Sequence, residues 1–276
     1  MSYKTILVHV DHSAHAPERM RVAAQLALEH DAHLVGAAMV GLSRFIYDDS
    51  GVDLAATVMA AQIEALGERA RASLEQFEAL ARTLGVASYE ARLVEDDAEN
   101  GLALQARYAD LVVLSQVDPE DPVARLMSGL PEYVLMTGAR PVLIVPYAGH
   151  FAALGRHVLV AWDESREATH AIADARTLLE RAGQVTLAVC NPDQASAPQP
   201  GADIALYLAR HGIKVELVTQ QTGSDVGNAL LSLAAERQCD LLVMGGYGHA
   251  RFRELLLGGV TDTLLRTMTL PVLMSH

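Results

Sequence analysis

Leu241-Leu242-Val243-Met244-Gly245-Gly246-Tyr247-Gly248 is the stretch on which the fold turns. An apolar run of strand length empties into a glycine-rich turn. After nine intervening residues come Gly258-Gly259-Val260-Thr261, which open a helix. Strand, glycine loop, helix is the local order of a parallel α/β sheet. Glycines let backbone N–H groups approach a ligand closely, and a helix N-terminus carries a partial positive charge that suits phosphate. No Gly-Lys-Ser/Thr follows, so the loop is not a P-loop.

Working outward, the chain repeats itself. Asp110-Leu-Val-Val-Leu114 matches Asp240-Leu-Leu-Val-Met244 at an offset of 130, and Pro141-Val142-Leu143 falls on Pro271-Val272-Leu273 at the same offset. Lys4-Thr-Ile-Leu-Val-His-Val-Asp11 matches Arg156-His-Val-Leu-Val-Ala-Trp-Asp163, with Ser13 and Ser165 each two residues further on. Two similar halves in tandem organise the chain. They are expected as domains over 1–147 and 152–276, joined at Tyr147-Ala-Gly-His-Phe151. Apolar, β-branched runs predict strands near 4–10, 33–39, 88–94, 110–115 and 141–146, then near 156–162, 184–190, 214–219, 240–244 and 271–275. Between them the spacing of Met59, Ile63, Leu66, Ala70, Leu74, Phe77, Ala81 and Leu84 predicts a helix over roughly 57–84, stopped by Gly85. A shorter helix, Ala202 to His211, stops at Gly212. The acidic run Glu95-Asp96-Asp97-Ala98-Glu99 reads as the solvated start of another. The fold class is α/β, two doubly wound Rossmann-like domains with five-stranded, mostly parallel sheets. Ligands of such sheets sit beyond the carboxyl ends of the strands. The glycine loop and Asp163 both fall there.

Composition narrows the function. Hydrophobic residues make up 51% and aromatics 5%, which suits Leu-, Val- and Ala-rich helices on a buried sheet. A net charge of −13 argues against nucleic acid or an anionic membrane as partner. Residues 1–150 hold 11 basic and 21 acidic side chains, a balance of −10, and residues 151–276 hold 10 and 13, a balance of −3. An anionic ligand therefore prefers the second half. Cys190 and Cys239 read as small buried side chains in a reducing compartment. With no apolar signal core at the start and no long uncharged run, the chain is expected to be cytoplasmic. His9 is expected inside the first strand, with His12 and His15 in the loop after it, and no metal site is expected.

Gly245, Gly248 and Gly258, with Gly259 in place of a Ser or Thr, resemble the nucleotide-binding signature G-x2-G-x9-G-(S/T) of the universal stress protein family. The resemblance covers the whole chain as two copies. It implies ATP, with or without Mg, lying across the carboxyl ends of the first, second and fourth strands of the second half. It places Ala161, Trp162 and Asp163 at the nucleoside, Val189 facing the adenine, and Met244 and Gly245 on the ribose side. Gly248 and Gly258 would line the phosphates, and Gly259, Val260 and Thr261 would hold phosphate oxygens. His249, Arg251 and Arg253 supply cations within the loop. Gly259 removes one hydroxyl, which weakens a charged contact by roughly 1.5–3 kcal/mol. The last strand of the family pairs with its twin, which implies an internal pseudo-dimer of the two halves and leaves room for a homodimer. The family is linked to stress sensing, and no base, water-positioning residue or arginine finger marks a hydrolase beyond slow ATP turnover.

The first half departs from the signature. Ser115-Gln116-Val117-Asp118 stand where the glycines stand in the second half, followed by Pro119-Glu120-Asp121-Pro122. Carboxylates repel phosphate and prolines delete N–H donors. Its nucleotide site is therefore expected to have lapsed. The alternative function is a carrier of another small molecule, or a protein-interaction module, on the same fold.

Overall fold

Two aspartates that recur in the sequence do the same work in both halves. The Asp110 carboxylate accepts the N–H groups of Lys4 (2.7 Å) and Thr5 (3.0 Å). The Asp240 carboxylate accepts those of Gly155 (2.8 Å), Arg156 (3.0 Å) and His157 (3.3 Å). Each ties the entry of one strand to the entry of its neighbour, so that the strands leave in register. The computed structural model describes residues 2–40, 53–121, 129–192, 199–223, 225–248 and 259–276.

All ten expected strands form, with ends shifted by no more than a residue or two. Contacts group them into two units. One comprises Ser2–Ser115 and Met127–Arg140; the other comprises Gln116–Leu126 and Pro141–His276. In the first unit β1 (Thr5–His9), β2 (His33–Met39), β3 (Tyr89–Val94) and β4 (Leu111–Ser115) run parallel in the order β3-β2-β1-β4. Ile6 pairs with Leu34 on one side and Leu111 on the other, and all three are fully buried. That burial on both faces is why β1, β2 and β4 read as apolar runs, whereas β3 at the end of the order is half-buried and carries Glu90 and Arg92. The helices are α1 (Ala16–His30), α2 (Asp53–Leu84), α3 (Ala98–Ala106) and α4 (Leu130–Thr137).

Helix α2 starts four residues before the apolar period shows it. Ala70, Leu74, Phe77 and Ala81 are buried as expected, and Phe77 packs where Gly36 of β2 leaves the sheet face bare. Leu66 is only half-buried and Leu84, in the last turn, is exposed. The side chains of Met59 and Ile63 lie outside the described residues. Gly85 follows at φ +80°, the left-handed conformation that lets a glycine end a helix. In the acidic run, Asp97 caps α3 by accepting Asn100 N–H at 2.9 Å, whereas Asp96 is buried rather than solvated.

The second unit adds β6 (His157–Ala161), β7 (Gln184–Cys190), β8 (Val215–Gln220), β9 (Leu241–Gly245) and β10 (Val272–Ser275), in the order β10-β9-β6-β7-β8, all parallel. β5 (Val142–Val145), from the first half of the sequence, joins this unit by pairing antiparallel with β10, Leu143 opposite Leu273. Each of the two strands enters directly after a proline, Pro141 and Pro271, where no ladder N–H is needed. The helices here are α5 (Arg166–Leu179), α6 (Ala202–Arg210), α7 (Val226–Glu236) and α8 (Val260–Thr267). Cys190 and Cys239 are free and half-buried, not fully buried, and burial pushes both thiols up, Cys239 to about 11. No helix among the described residues is long and apolar enough to cross a membrane.

Candidate functional site

At the carboxyl ends of β6 and β9 the second unit gathers its short polar groups. β6 ends at Ala161, and the sheet continues one residue further because Trp162 N–H donates to Ala188 O at 2.9 Å. Asp163, exposed, then turns the chain: its Oδ1 accepts Ser165 N–H at 3.0 Å, and Glu164 between them sits at φ +65°. Ser165 caps α5 in turn, its Oγ accepting Ala168 N–H at 3.0 Å. Asp11 and Ser13 form the same turn in the first unit at 3.0 Å, but α1 has His15 at its cap and no side-chain cap bond.

β9 ends at Gly245, and the glycine turn follows. Gly246 N–H donates to Ser275 O at 2.9 Å, and Tyr247, at φ +58°, donates its N–H to Thr261 Oγ1 at 3.3 Å. Thr261 is buried in the first turn of α8, so its hydroxyl pins the glycine turn to that helix. Gly259 is the N-cap of α8 in extended backbone (φ −76°, ψ 178°) with no side-chain cap bond, and Val260 is half-buried beside it. Met244 and Val189 are buried, the latter beneath Gly201, where a Cβ would come within 2.9 Å of Val189 Cγ2. Of the expected site residues, then, Ala161, Trp162, Asp163, Gly245, Gly248, Gly259, Val260 and Thr261 stand around the ends of β6 and β9. His249, Arg251, Arg253 and Gly258 lie outside the described residues.

Glu167 is the residue the motif did not reveal. It is buried in the first turn of α5, and a Cβ on Gly248 would sit 2.8 Å from its Oε2. Burial pushes the Glu167 carboxyl up, but its own backbone N–H, the Arg166 guanidinium at 3.0 Å and the charge of His276 outweigh this and hold it below its ordinary range. A carboxylate thus lies under the turn expected to face phosphate. Its only sequence signal is its place two residues after the cap Ser165, where an acid favours the helix dipole and draws no attention. Among the described residues, no group of three His, Cys, Asp or Glu is arranged to hold a metal.

The corresponding place in the first unit is filled by its own side chains. Arg19 of α1 is buried, donates from Nε to His9 O (2.7 Å) and from Nη1 to Ser115 Oγ (2.8 Å), and sets Nη2 3.0 Å from Asp11 Oδ1. By the repeat, His9, Arg19 and Ser115 become Ala161, Ala171 and Gly245 in the second unit. Small residues there leave nothing to prop helix from sheet, and α5 closes onto β9. A Cβ on Gly245 would meet Ala168 N at 2.5 Å. The first unit instead keeps a buried polar cluster between α1 and the ends of β1 and β4.

That cluster makes the fold acid-sensitive. Burial lowers the His9 pKa to about 4, with Asp11 opposing and Arg19 reinforcing. For Asp11 burial acts upward, but Arg19, His9 and two hydrogen bonds from Ser13 win and hold it far below the carboxylate range. Both folded groups bind protons less readily than their unfolded counterparts. As pH falls from 6.5 towards 4 the unfolded chain protonates its His9 and the folded chain does not; below about pH 4 Asp11 adds to the loss. The expected result is a fall in stability on the order of 3 kcal/mol from His9 by pH 4. Urea unfolding at pH 7 and pH 5 checks it, since His9→Gln should flatten the difference. An unchanged pH slope in that variant would remove His9 as the cause.

A parallel α/β sheet with a glycine turn, a capped helix and an acidic turn meeting at the carboxyl ends of its strands belongs to the doubly wound class, whose ligands sit at those ends. Comparison with known proteins narrows the class. Residues 155–276 match the universal stress protein family. A universal stress protein of Synechocystis is 34% identical over 90 residues, 32% of this chain, and the match spans 30% of that curated relative's length. A universal stress protein of Archaeoglobus fulgidus has the same fold over 98% of this chain and 95% of its own, with a TM-score of 0.76 at 17% identity. A universal stress protein solved in complex with cAMP covers 54% of this chain and all of its own (100%), at 23% identity and a TM-score of 0.39. Residues 155–276 thus match a universal stress protein domain, and the chain shares its fold, over nearly its whole length, with a solved universal stress protein.

Proposed function

We propose that this chain is a tandem universal stress protein that binds one ATP, with or without Mg, in its second half and acts as a cytoplasmic stress sensor or adaptor. The observation that carries the reading is the convergence of three anion- and ribose-suited elements: the Gly245–Gly248 turn, the α8 N-terminus at Gly259–Thr261, and the Asp163 turn. In the first half Arg19 engages Asp11 and Ser115, the counterparts of Asp163 and Gly245, which supports a single site per chain. The antiparallel pairing of β5 with β10 supports an internal pseudo-dimer of the halves 1–147 and 152–276; a homodimer of whole chains would be a further association. Calorimetry of the full chain tests the site, and native mass spectrometry tests for co-purified nucleotide. One ATP per chain is expected. Two equal sites, or no heat with ATP, ADP or AMP, would end the reading. In the last case the Glu167 carboxylate beside Gly248 favours a carrier of a neutral or cationic small molecule instead.

Gly259→Ser gives a finer check. Because Gly259 is an N-cap in extended backbone, any residue fits its dihedrals. A serine oxygen can accept a first-turn N–H, adding a few tenths of a kcal/mol to stability. Its proton remains free to donate to phosphate, for about 1 kcal/mol or roughly fivefold tighter ATP. Trp162 is the chain's sole tryptophan, so its fluorescence can follow the titration. A folded variant that binds ATP equally or more weakly would mean that the loop holds its ligand by backbone alone.

A further inference from the structure

We infer that Gln116 is a positioning residue of the glycine-loop site: it holds the far end of α8, the helix whose N-terminus faces that site. Gln116 belongs to the same compact unit as the site, although it lies in the first half of the sequence. It is buried, and its own N–H donates to Val145 O at 2.8 Å. Its side chain spans two backbones. Nε2 donates to Leu265 O at 3.0 Å, and Oε1 accepts Tyr147 N–H at 3.3 Å. Leu265 lies in the last turn of α8, where carbonyls have no intrahelical partner.

Helix α8 is therefore fixed at three points. Its first turn is tied to the glycine turn by the Tyr247–Thr261 bond. Its middle is held where Thr263 Oγ1 donates to Asp225 Oδ2 at 3.2 Å, Asp225 being the cap of α7. Its last turn is held by Gln116. A helix of eight residues is a rod about 12 Å long. Releasing one end lets it pivot about the middle attachment, and the other end moves with it. The end that moves carries Gly259, Val260 and Thr261.

The hold has no return. In the repeat, Gln116 corresponds to Gly246 and Leu265 to Leu135. Gly246 has no side chain with which to reach a carbonyl. The first-half loop, which has Gln116 where the second half has Gly246, thereby supplies a side chain that supports the site in the second half. The inference rests on the ligand reading of that site, so its test includes a measurement made without ligand.

The test uses the full chain and three proteins: parent, Gln116→Leu and Asp240→Asn. The leucine keeps the volume and removes the donor. Asp240→Asn weakens the same unit at the opposite, amino ends of its strands, and serves as the control for general destabilisation. Without nucleotide, amide hydrogen exchange is followed at Tyr247, which donates to Thr261, and at Thr263, which donates to Gly259 O at 3.0 Å. Both amides should exchange about tenfold faster in Gln116→Leu and at the parent rate in Asp240→Asn, under conditions where every protein is folded. With ATP as probe, Gln116→Leu should bind roughly five- to tenfold more weakly and Asp240→Asn as the parent does. Unchanged exchange at Tyr247 and Thr263 in Gln116→Leu overturns the inference, as does equal acceleration in the control. A parent that binds no ATP would sink the nucleotide reading alone, because the exchange data still decide whether Gln116 positions α8.

Discussion

On the nucleotide reading, Gly248→Asp is expected to cost most of the ATP affinity and to leave the chain folded. Gly248 is exposed, its φ is not in the left-handed range, and the nearest atom to a new Cβ is the tip of the Glu167 side chain, so the fold has little reason to fail. Charge is the cause of the loss. The substitution copies Asp118 from the first half and sets a second carboxylate beside Glu167. A carboxylate about 4 Å from a phosphate oxygen costs roughly 4 kcal/mol at an effective dielectric near 20, on the order of a thousandfold in affinity. Part of this is screened at an open loop, and a loss beyond about a hundredfold is the expected reading. Gly248→Asn separates charge from bulk: it has the same shape and should retain most of the affinity. Calorimetry on both variants, with circular dichroism as the folding check, decides it. Parent-like affinity in folded Gly248→Asp would mean that phosphate does not sit at this turn.

The same comparison shows what could be read from the chain and what could not. Strands such as β1, β2, β4 and β9 were legible because each is a short apolar run buried on both faces, and 33–39 and 184–190 fall on the expected residues, whereas β3 and β8 have no buried residue and were read from their β-branched and apolar positions alone. The repeat was legible because Asp110 and Asp240, or Asp11 and Asp163, carry out the same backbone capping twice. The antiparallel pairing of β5 with β10 was implied by the family resemblance and not by the residues themselves, since a run of apolar residues says that a strand is buried but not against what. Arg19 gave no signal at all. One arginine among the apolar residues of a helix ordinarily reaches solvent. Its burial depends on acceptors at His9, Asp11 and Ser115, the last far away in sequence, which only the folded sheet brings together. Glu167 was hidden in the same way. A first-turn glutamate reads as an exposed partner of the helix dipole until Gly248 is seen to lie over it. The glycine motif placed its turn at the carboxyl end of β9, where it lies, but as a pattern it did not say which glycine packing requires.

Gly245 is the one that packing requires, and Gly245→Ala should therefore be the most damaging single change at the site. An added Cβ would lie 2.5 Å from Ala168 N and 2.6 Å from Glu167 C, both backbone atoms of the first turn of α5. Neither can rotate away as a side chain would, so the helix itself must retreat. Retreat strains the Ser165–Ala168 cap bond of 3.0 Å and loosens Ala168, Ala171 and Ile172, all buried on the face of α5. Overpacking of this kind costs about 1–3 kcal/mol, and a compromised cap about 1 more. A loss of roughly 3 kcal/mol lowers the thermal midpoint of a unit this size by about 10 °C. The first half makes the physical point in reverse, for Ser115 occupies the matching position without a clash and offers its Oγ to Arg19. Small residues in the second half bring α5 against β9, and that closure carries Ser165 and Glu167 up to the glycine turn. Gly245→Ala should thus weaken ATP binding as well as stability, whereas Gly248→Asp weakens binding alone. Thermal unfolding and calorimetry of the two variants side by side test the division. A midpoint for Gly245→Ala within about 2 °C of the parent would show that α5 yields at little cost, and the packing role of Gly245 would be wrong.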